Sequence, residues 1–157
     1  MEPRSAVFDC MVFLQAVSRP KGPAGQIFIE FVAPGILTPV VCPAVLDEVR
    51  DVLGRPEVRR KNLELTDVRV DEFLGYVSRV SRSFPNPPTI QALPRDPDDE
   101  PYLNLALTEN ADYLVTWDND MLDLVRQIGF RVLYPHLCIL TPVQLLRVLR
   151  AEPEGEA

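Results

Sequence analysis

Along this chain short unbroken apolar runs alternate with stripes of helical spacing. Ala6-Val7-Phe8 reads as a buried strand, and Val12 to Val17 as a short helix that follows it. Pro23 to Val32 places Ile27, Phe28, Phe31 and Val32 on one helical face, with Pro34-Gly35 as the stop. Ile36 to Val41 predicts a second strand. Pro39 inside it lacks a donor, so that strand lies at an edge or begins late. Pro43 starts a helix where proline is tolerated and Gly54 ends it, with Val45, Leu46, Val49, Val52 and Leu53 as the core-facing stripe. At about 100° per residue Glu48 lies beside this stripe, and Asp47 points nearly opposite.

Thr66 to Val80 carries Val70, Phe73, Leu74 and Val77 at helical spacing, and a proline-rich connection follows from Ser83 to Pro97. In the next predicted helix, Asp99 to Asn110, residues Asp99, Leu103 and Ala106 share the buried face while Asp98 and Glu100 sit to either side. Tyr113 to Thr116 predicts a third strand and Phe130 to Leu133 a fourth. Thr141-Pro142 opens a last helix through Leu149, and the polar end from Glu152 to Ala157 is expected to fray. This alternation predicts an α/β layered domain over residues 1–150, with a mostly parallel central sheet and a polar tail at 151–157.

Acidic residues close several of these apolar runs: Val7-Phe8-Asp9, Val45-Leu46-Asp47-Glu48, Asp96-Pro97-Asp98-Asp99-Glu100 and Leu114-Val115-Thr116-Trp117-Asp118. Desolvating a carboxylate costs several kcal/mol unless it is paired, and 16 Lys and Arg face 23 Asp and Glu here. Asp9 and Asp118 fall at the carboxyl ends of predicted strands, where open α/β sheets bind ligands. Glu48 and Asp99 sit on helices that flank the same edge. Any one of these acids reads equally well as a cap or turn residue. Together they suit a hard divalent cation, Mg2+ or Mn2+, which activates water for phosphodiester cleavage.

The net charge of −7 excludes a generic nucleic-acid coat protein, though not a nuclease with an acidic metal pocket. Arg50, Arg55, Arg59, Arg60 and Lys61 form a local basic cluster, read as a solvated helix end, a phosphate track or a partner-binding edge. Cys10, Cys42 and Cys138 lie far apart in apolar sequence and are expected to be buried small hydrophobes in a reducing compartment. With a single histidine, His136, no zinc-like spacing exists. No apolar run reaches membrane length and the N-terminus has no signal-like region, so a soluble, cytoplasmic protein is expected.

Taken in order, these motifs resemble the PIN domain family of metal-dependent nucleases, in particular the VapC-like toxins of bacterial toxin–antitoxin systems. Val7-Phe8-Asp9 is similar to the family's first acidic motif, and Pro43 to Leu53 to its glutamate-bearing helix. Arg95-Asp96-Pro97-Asp98-Asp99 with Leu103 and Ala106, the segment from Leu114 to Leu122, and Ile139-Leu140-Thr141-Pro142 are similar to the toxin branch. The resemblance implies a three-layer fold in which Asp9, Glu48, Asp99 and Asp118 hold Mg2+ or Mn2+, with Asp120 as a fifth ligand. It further implies cleavage of single-stranded RNA, a cognate antitoxin protein and a homodimer. Cys10 and Met11 stand where the family usually has a small hydroxyl residue and asparagine, and Cys42 where it prefers a serine cap. Each change removes a hydrogen-bonding group and is expected to lower activity. The alternative reading is a catalytically weak PIN module that acts through protein–protein binding.

Overall fold

In the computed structural model, which describes residues 3–152, the chain forms strands β1 (Arg4–Phe8), β2 (Leu37–Val41), β3 (Arg82–Ser83), β4 (Tyr113–Val115) and β5 (Cys138–Leu140). They make one sheet in the order β3-β2-β1-β4-β5, and every neighbouring pair is parallel. Between them run helices α1 (Cys10–Ser18), α2 (Pro23–Ile27), α3 (Pro43–Leu53), α4 (Pro56–Lys61), α5 (Asp67–Val80), α6 (Glu100–Thr108), α7 (Asn119–Asp123), α8 (Ile128–Leu133) and α9 (Pro142–Ala151). Successive side chains of a strand point to opposite faces, yet Ala6, Val7 and Phe8 are all fully buried. Both faces of the sheet are therefore covered, as a parallel sheet requires.

Strand order reverses direction at β1: β2 and β3 lie to one side of it, β4 and β5 to the other. That switch point opens a crevice at the carboxyl ends of β1 and β4. Phe8, the last residue of β1, packs against Phe13 and Phe28, at ring-centroid distances of 5.7 and 5.2 Å. This aromatic cluster fixes the strand end that carries Asp9.

Several sequence expectations meet a different local outcome. Phe130 to Leu133 is helical, not a strand: Phe130 is buried while Val132 and Leu133 are about 70% exposed, at 73% and 70%. The outer edge of β4 is taken instead by Cys138–Leu140, which leaves Cys138 exposed rather than buried. The helix from Pro23 widens after Ile27 into π-type turns, with the Ala33 and Ile36 N–H groups donating five residues back, and Gly35 at φ 82° ends it. The helix expected from Asp99 begins at Glu100, after a 3₁₀ turn over Pro97–Asp99. The strand that holds Pro39 is not at the sheet's edge but lies between β3 and β1; Pro39 is tolerated because β3 pairs only with Val40 and Val41, so no neighbour needs its missing N–H on that side. Residues 153–157, most of the tail expected to fray, lie outside the described residues. Among the described residues no helix is long and apolar enough to cross a membrane.

The proline-rich connection is stapled to α6 by one buried residue. Asn104 Oδ1 accepts from the Ile90 and Gln91 N–H groups at 2.7 and 2.8 Å, and its Nδ2 donates to the Gln91 and Glu100 carbonyls at 3.0 and 2.9 Å. Glu100 Oε1 adds a bond from the Leu93 N–H at 2.8 Å. These bonds set the exit direction of the segment that delivers Asp96. Asn104→Leu keeps the volume but strands the loop's polar groups, at about 1 to 3 kcal/mol. Hydrogen exchange should then quicken at Ile90 and Gln91 and the melting temperature should fall. Unchanged exchange there would show that Asn104 does not hold the loop.

Candidate metal centre

Asp9 follows β1 directly and is 5% exposed. Its Oδ1 accepts the Val12 N–H at 3.0 Å, capping α1, and its Oδ2 accepts the Thr116 hydroxyl. Thr116 is fully buried and its Oγ1 also accepts the Asp118 N–H at 3.0 Å. One threonine thus ties the ends of the two neighbouring strands together. Asp118 repeats the pattern: Oδ1 accepts the Asp120 N–H at 3.0 Å and caps α7, while Oδ2 is buried with no hydrogen-bond partner. Capping and ligation are therefore compatible for both acids, since each carboxylate has two oxygens.

Asp96, Asp99 and Asp118 each place a carboxylate oxygen within 4.8 Å of the others. Asp99 makes no capping bond, so helix capping does not account for it. Burial first, then the neighbouring Asp96 and Asp118 carboxylates and repulsion from Asp9, push the Asp99 carboxyl up to about 9. At neutral pH, without a cation, this acid keeps its proton. Asp96 is drawn down by neighbouring Asp99 but raised overall by burial and Asp118, and burial raises Asp9 despite its bonds from Thr116 and Val12.

Glu48 stands on the side of α3 that the stripe predicts, half-buried, with Asp47 exposed. Its Oε1 accepts the hydroxyl of fully buried Tyr102 at 2.9 Å, and burial raises its carboxyl. It is not a member of the close triad. Asp120 is not either; its carboxylate lies 3.9 Å from Arg95. Of the expected acids, the fold brings Asp99 and Asp118 into mutual contact, sets Asp9 beside them through Thr116, and leaves Glu48 and Asp120 outside the triad. Asp96 was absent from the expected set; the run Asp96-Pro97-Asp98-Asp99 was its one signal in the sequence.

The departures at Cys10, Met11 and Cys42 have distinct fates. Burial pushes the Cys10 thiol up to about 12, with Glu48 and Asp9 reinforcing it, so it stays protonated. Met11 is 49% exposed. Cys42 offers α3 no side-chain cap, but Asn86 Oδ1 accepts the Ala44 N–H at 2.8 Å from the proline-rich connection. The cap missing from position 42 arrives from elsewhere. In the basic cluster Arg50, Arg55 and Arg59 pair with Asp71, Asp51 and Asp67 at 2.9, 3.0 and 2.5 Å, which matches a solvated helix surface.

The donors fit a hard divalent cation. All are carboxylate oxygens, one of them is buried without a partner, and among the described residues no His or Cys joins the triad. Helix N-termini at Asp9, Asp99 and Asp118 add partial positive charge, which makes an acidic cluster tolerable until a cation arrives.

A carboxyl raised above its ordinary value keeps its proton in the folded protein after the unfolded chain has lost it. The stability it confers is full below the ordinary value of 3.8 and drains as pH climbs towards about 9. The metal-free protein should therefore lose stability from about pH 4 to about pH 9, and Asp99→Asn should flatten that slope. Melting temperatures of the two proteins that run parallel across the range would contradict the assignment.

Residues 5–120, most of the chain and all of the acids above, match the family described as PIN domain. No curated protein matches the sequence. Among solved structures the chain is similar to the crystal structure of PAE2754 from Pyrobaculum aerophilum, with a TM-score of 0.56 and 16% identity over 97% of this chain and 92% of that one. At that identity the likeness is one of fold. The parallel sheet, the acids at its switch point and the family match lead to one conclusion: the chain belongs to the PIN domain family, whose members are generally metal-dependent nucleases.

Proposed function

We propose that this protein is a Mg2+- or Mn2+-dependent endoribonuclease that cleaves single-stranded RNA. The observation that carries the reading is the buried, unpartnered Oδ2 of Asp118 inside a group of three carboxylates. A structural acid would have its second oxygen paired or in water. Asp9, Asp96, Asp99 and Asp118 would hold the cation. When bound, it supplies acidification of a water and neutralisation of the charge that develops on the phosphate.

The remaining work falls to the protein. Glu48, held by the Tyr102 hydroxyl and raised by burial, accepts a proton from the attacking water as its oxygen bonds to phosphorus. The bond from phosphorus to the leaving ribose oxygen breaks, and that oxygen takes up a proton from solvent water. Thr116 keeps Asp9 and Asp118 in register throughout. Arg95, with Asp120 beside it, lies at the rim where a phosphate would enter.

The resemblance of the Asp96-Pro97-Asp98-Asp99 and Ile139-Leu140-Thr141-Pro142 segments to the toxin branch supports a finer reading: a cytoplasmic toxin held by a cognate antitoxin and active as a homodimer. A second reading, a catalytically weak module that acts through protein–protein binding, is favoured by the exposed Ile128, Val132 and Leu133 on α8.

Cleavage of an unstructured RNA, with each ion titrated into metal-free protein, separates the two readings. Cleavage should appear with Mn2+ or Mg2+ and stop in excess chelator. Asp118→Asn should abolish it while leaving the metal-free fold as stable, because an amide oxygen still accepts the Asp120 N–H. Its stabilisation by Mn2+ should shrink as well. Cleavage in excess chelator, or folded, partner-free protein that never cleaves with either ion, would overturn the enzymatic reading.

A further inference from the structure

Trp117, the chain's one tryptophan, sits between the two residues that tie the acids together, Thr116 and Asp118. Its backbone N–H faces the Asp9 carboxylate, and its indole Nε1–H donates to Gln15 Oε1 at 2.7 Å. The indole donor is thus satisfied by the protein itself, in a bond at the surface that restrains the ring. Even so, Trp117 is 40% exposed. Its one donor is already used, so what the ring still offers a ligand is its aromatic face. Met11, itself 49% exposed, lies one helical turn before Gln15 on the same face of α1 and two residues after Asp9. Large apolar groups therefore border an acidic cluster that has no apolar role of its own.

We propose that the Trp117 indole, flanked by Met11, is a stacking platform for a nucleobase next to the scissile phosphate, and this rests on the nuclease reading above. Charge argues for such a platform. Phosphate contacts to free Lys and Arg normally supply most of the affinity for nucleic acid. This protein carries −7, and near the site Arg55 is paired with Asp51, which leaves Arg95, 3.9 Å from Asp120, to meet the entering phosphate. With few free cations at hand, stacking on a rigid ring is the remaining large source of affinity, and it tolerates any base. A neutral base also suits a rim lined by carboxylates, where an acidic peptide would be repelled.

The sole tryptophan makes the platform directly observable. End-labelled single-stranded RNA hexamers and abasic ribose-phosphate chains of equal length would be titrated with Ca2+ present, following both label anisotropy and tryptophan fluorescence. The base-bearing oligomer should quench Trp117 and bind more tightly than the abasic chain, which should not quench. Trp117→Leu should weaken the base-bearing oligomer by about 5- to 100-fold, towards the abasic level, and leave abasic affinity unchanged. Trp117→Phe should retain part of the difference. Oligomer binding with unquenched fluorescence, or quenching by an apolar peptide and not by the oligomer, would overturn the proposal while the nuclease reading stands. If the leucine variant fails to fold, quenching in the parent decides alone. Absence of any oligomer binding to the folded parent would overturn the nuclease reading, and this inference with it.

Discussion

Asp96, Asp99 and Asp118 bring oxygens within 4.8 Å of one another, and unit charges about 4 Å apart repel by roughly 4 kcal/mol at an effective dielectric of 20. The carboxyl edge of the sheet is organised around that repulsion. Three helix N-termini point partial positive charge at the acids, and Thr116 and the Val12 N–H donate to Asp9. Without a cation, burial first and then the neighbouring acids raise the Asp99 carboxyl to about 9, and its proton completes the arrangement. A divalent ion can take over the role of that proton. Ligand binding and proton binding then compete for the same oxygens.

The local structure reaches this state by assigning the two oxygens of a carboxylate to different tasks. Asp9 and Asp118 each cap a helix with Oδ1; Oδ2 of Asp9 is tied to Thr116 and Oδ2 of Asp118 remains unpartnered. The cap fixes where the helix starts, and the helix start in turn fixes the direction of the second oxygen. Further out, Asn104 and Asn86 do comparable work from buried and loop positions: one staples the proline-rich connection to α6, the other supplies the N–H acceptor that Cys42 lacks. A site whose acids repel one another depends on such neutral anchors to hold its geometry.

Elements with strong periodicity were legible from the sequence. The stripe from Val45 to Leu53 placed Glu48 inward and Asp47 outward correctly, and the apolar runs ending at Phe8 and Val115 are strands that deliver Asp9 and Asp118. Short elements were not. Phe130-Arg131-Val132-Leu133 has strand composition, but one face buries only Phe130, and tertiary packing makes it a helix. β5 has three residues and β3 two, too few to show any period. Asp96 was hidden for a different reason: its place in the site depends on how a long irregular connection is folded back onto α6, and that information resides in a single buried asparagine far along the helix. Trp117 gave no periodic signal at all, and its place at the rim emerges only once Gln15 is seen across from it.

Calorimetry measures the exchange of a proton for a cation on Asp99 directly. Mn2+ would be titrated into metal-free protein at about pH 7 in buffers of differing ionisation enthalpy, which yields the number of protons released per ion bound. With Asp99 protonated below about 9, saturable binding should release close to one proton, and the release should fall away as pH rises past that value. Saturable binding with no proton release at pH 7, or no saturable binding, would contradict that exchange.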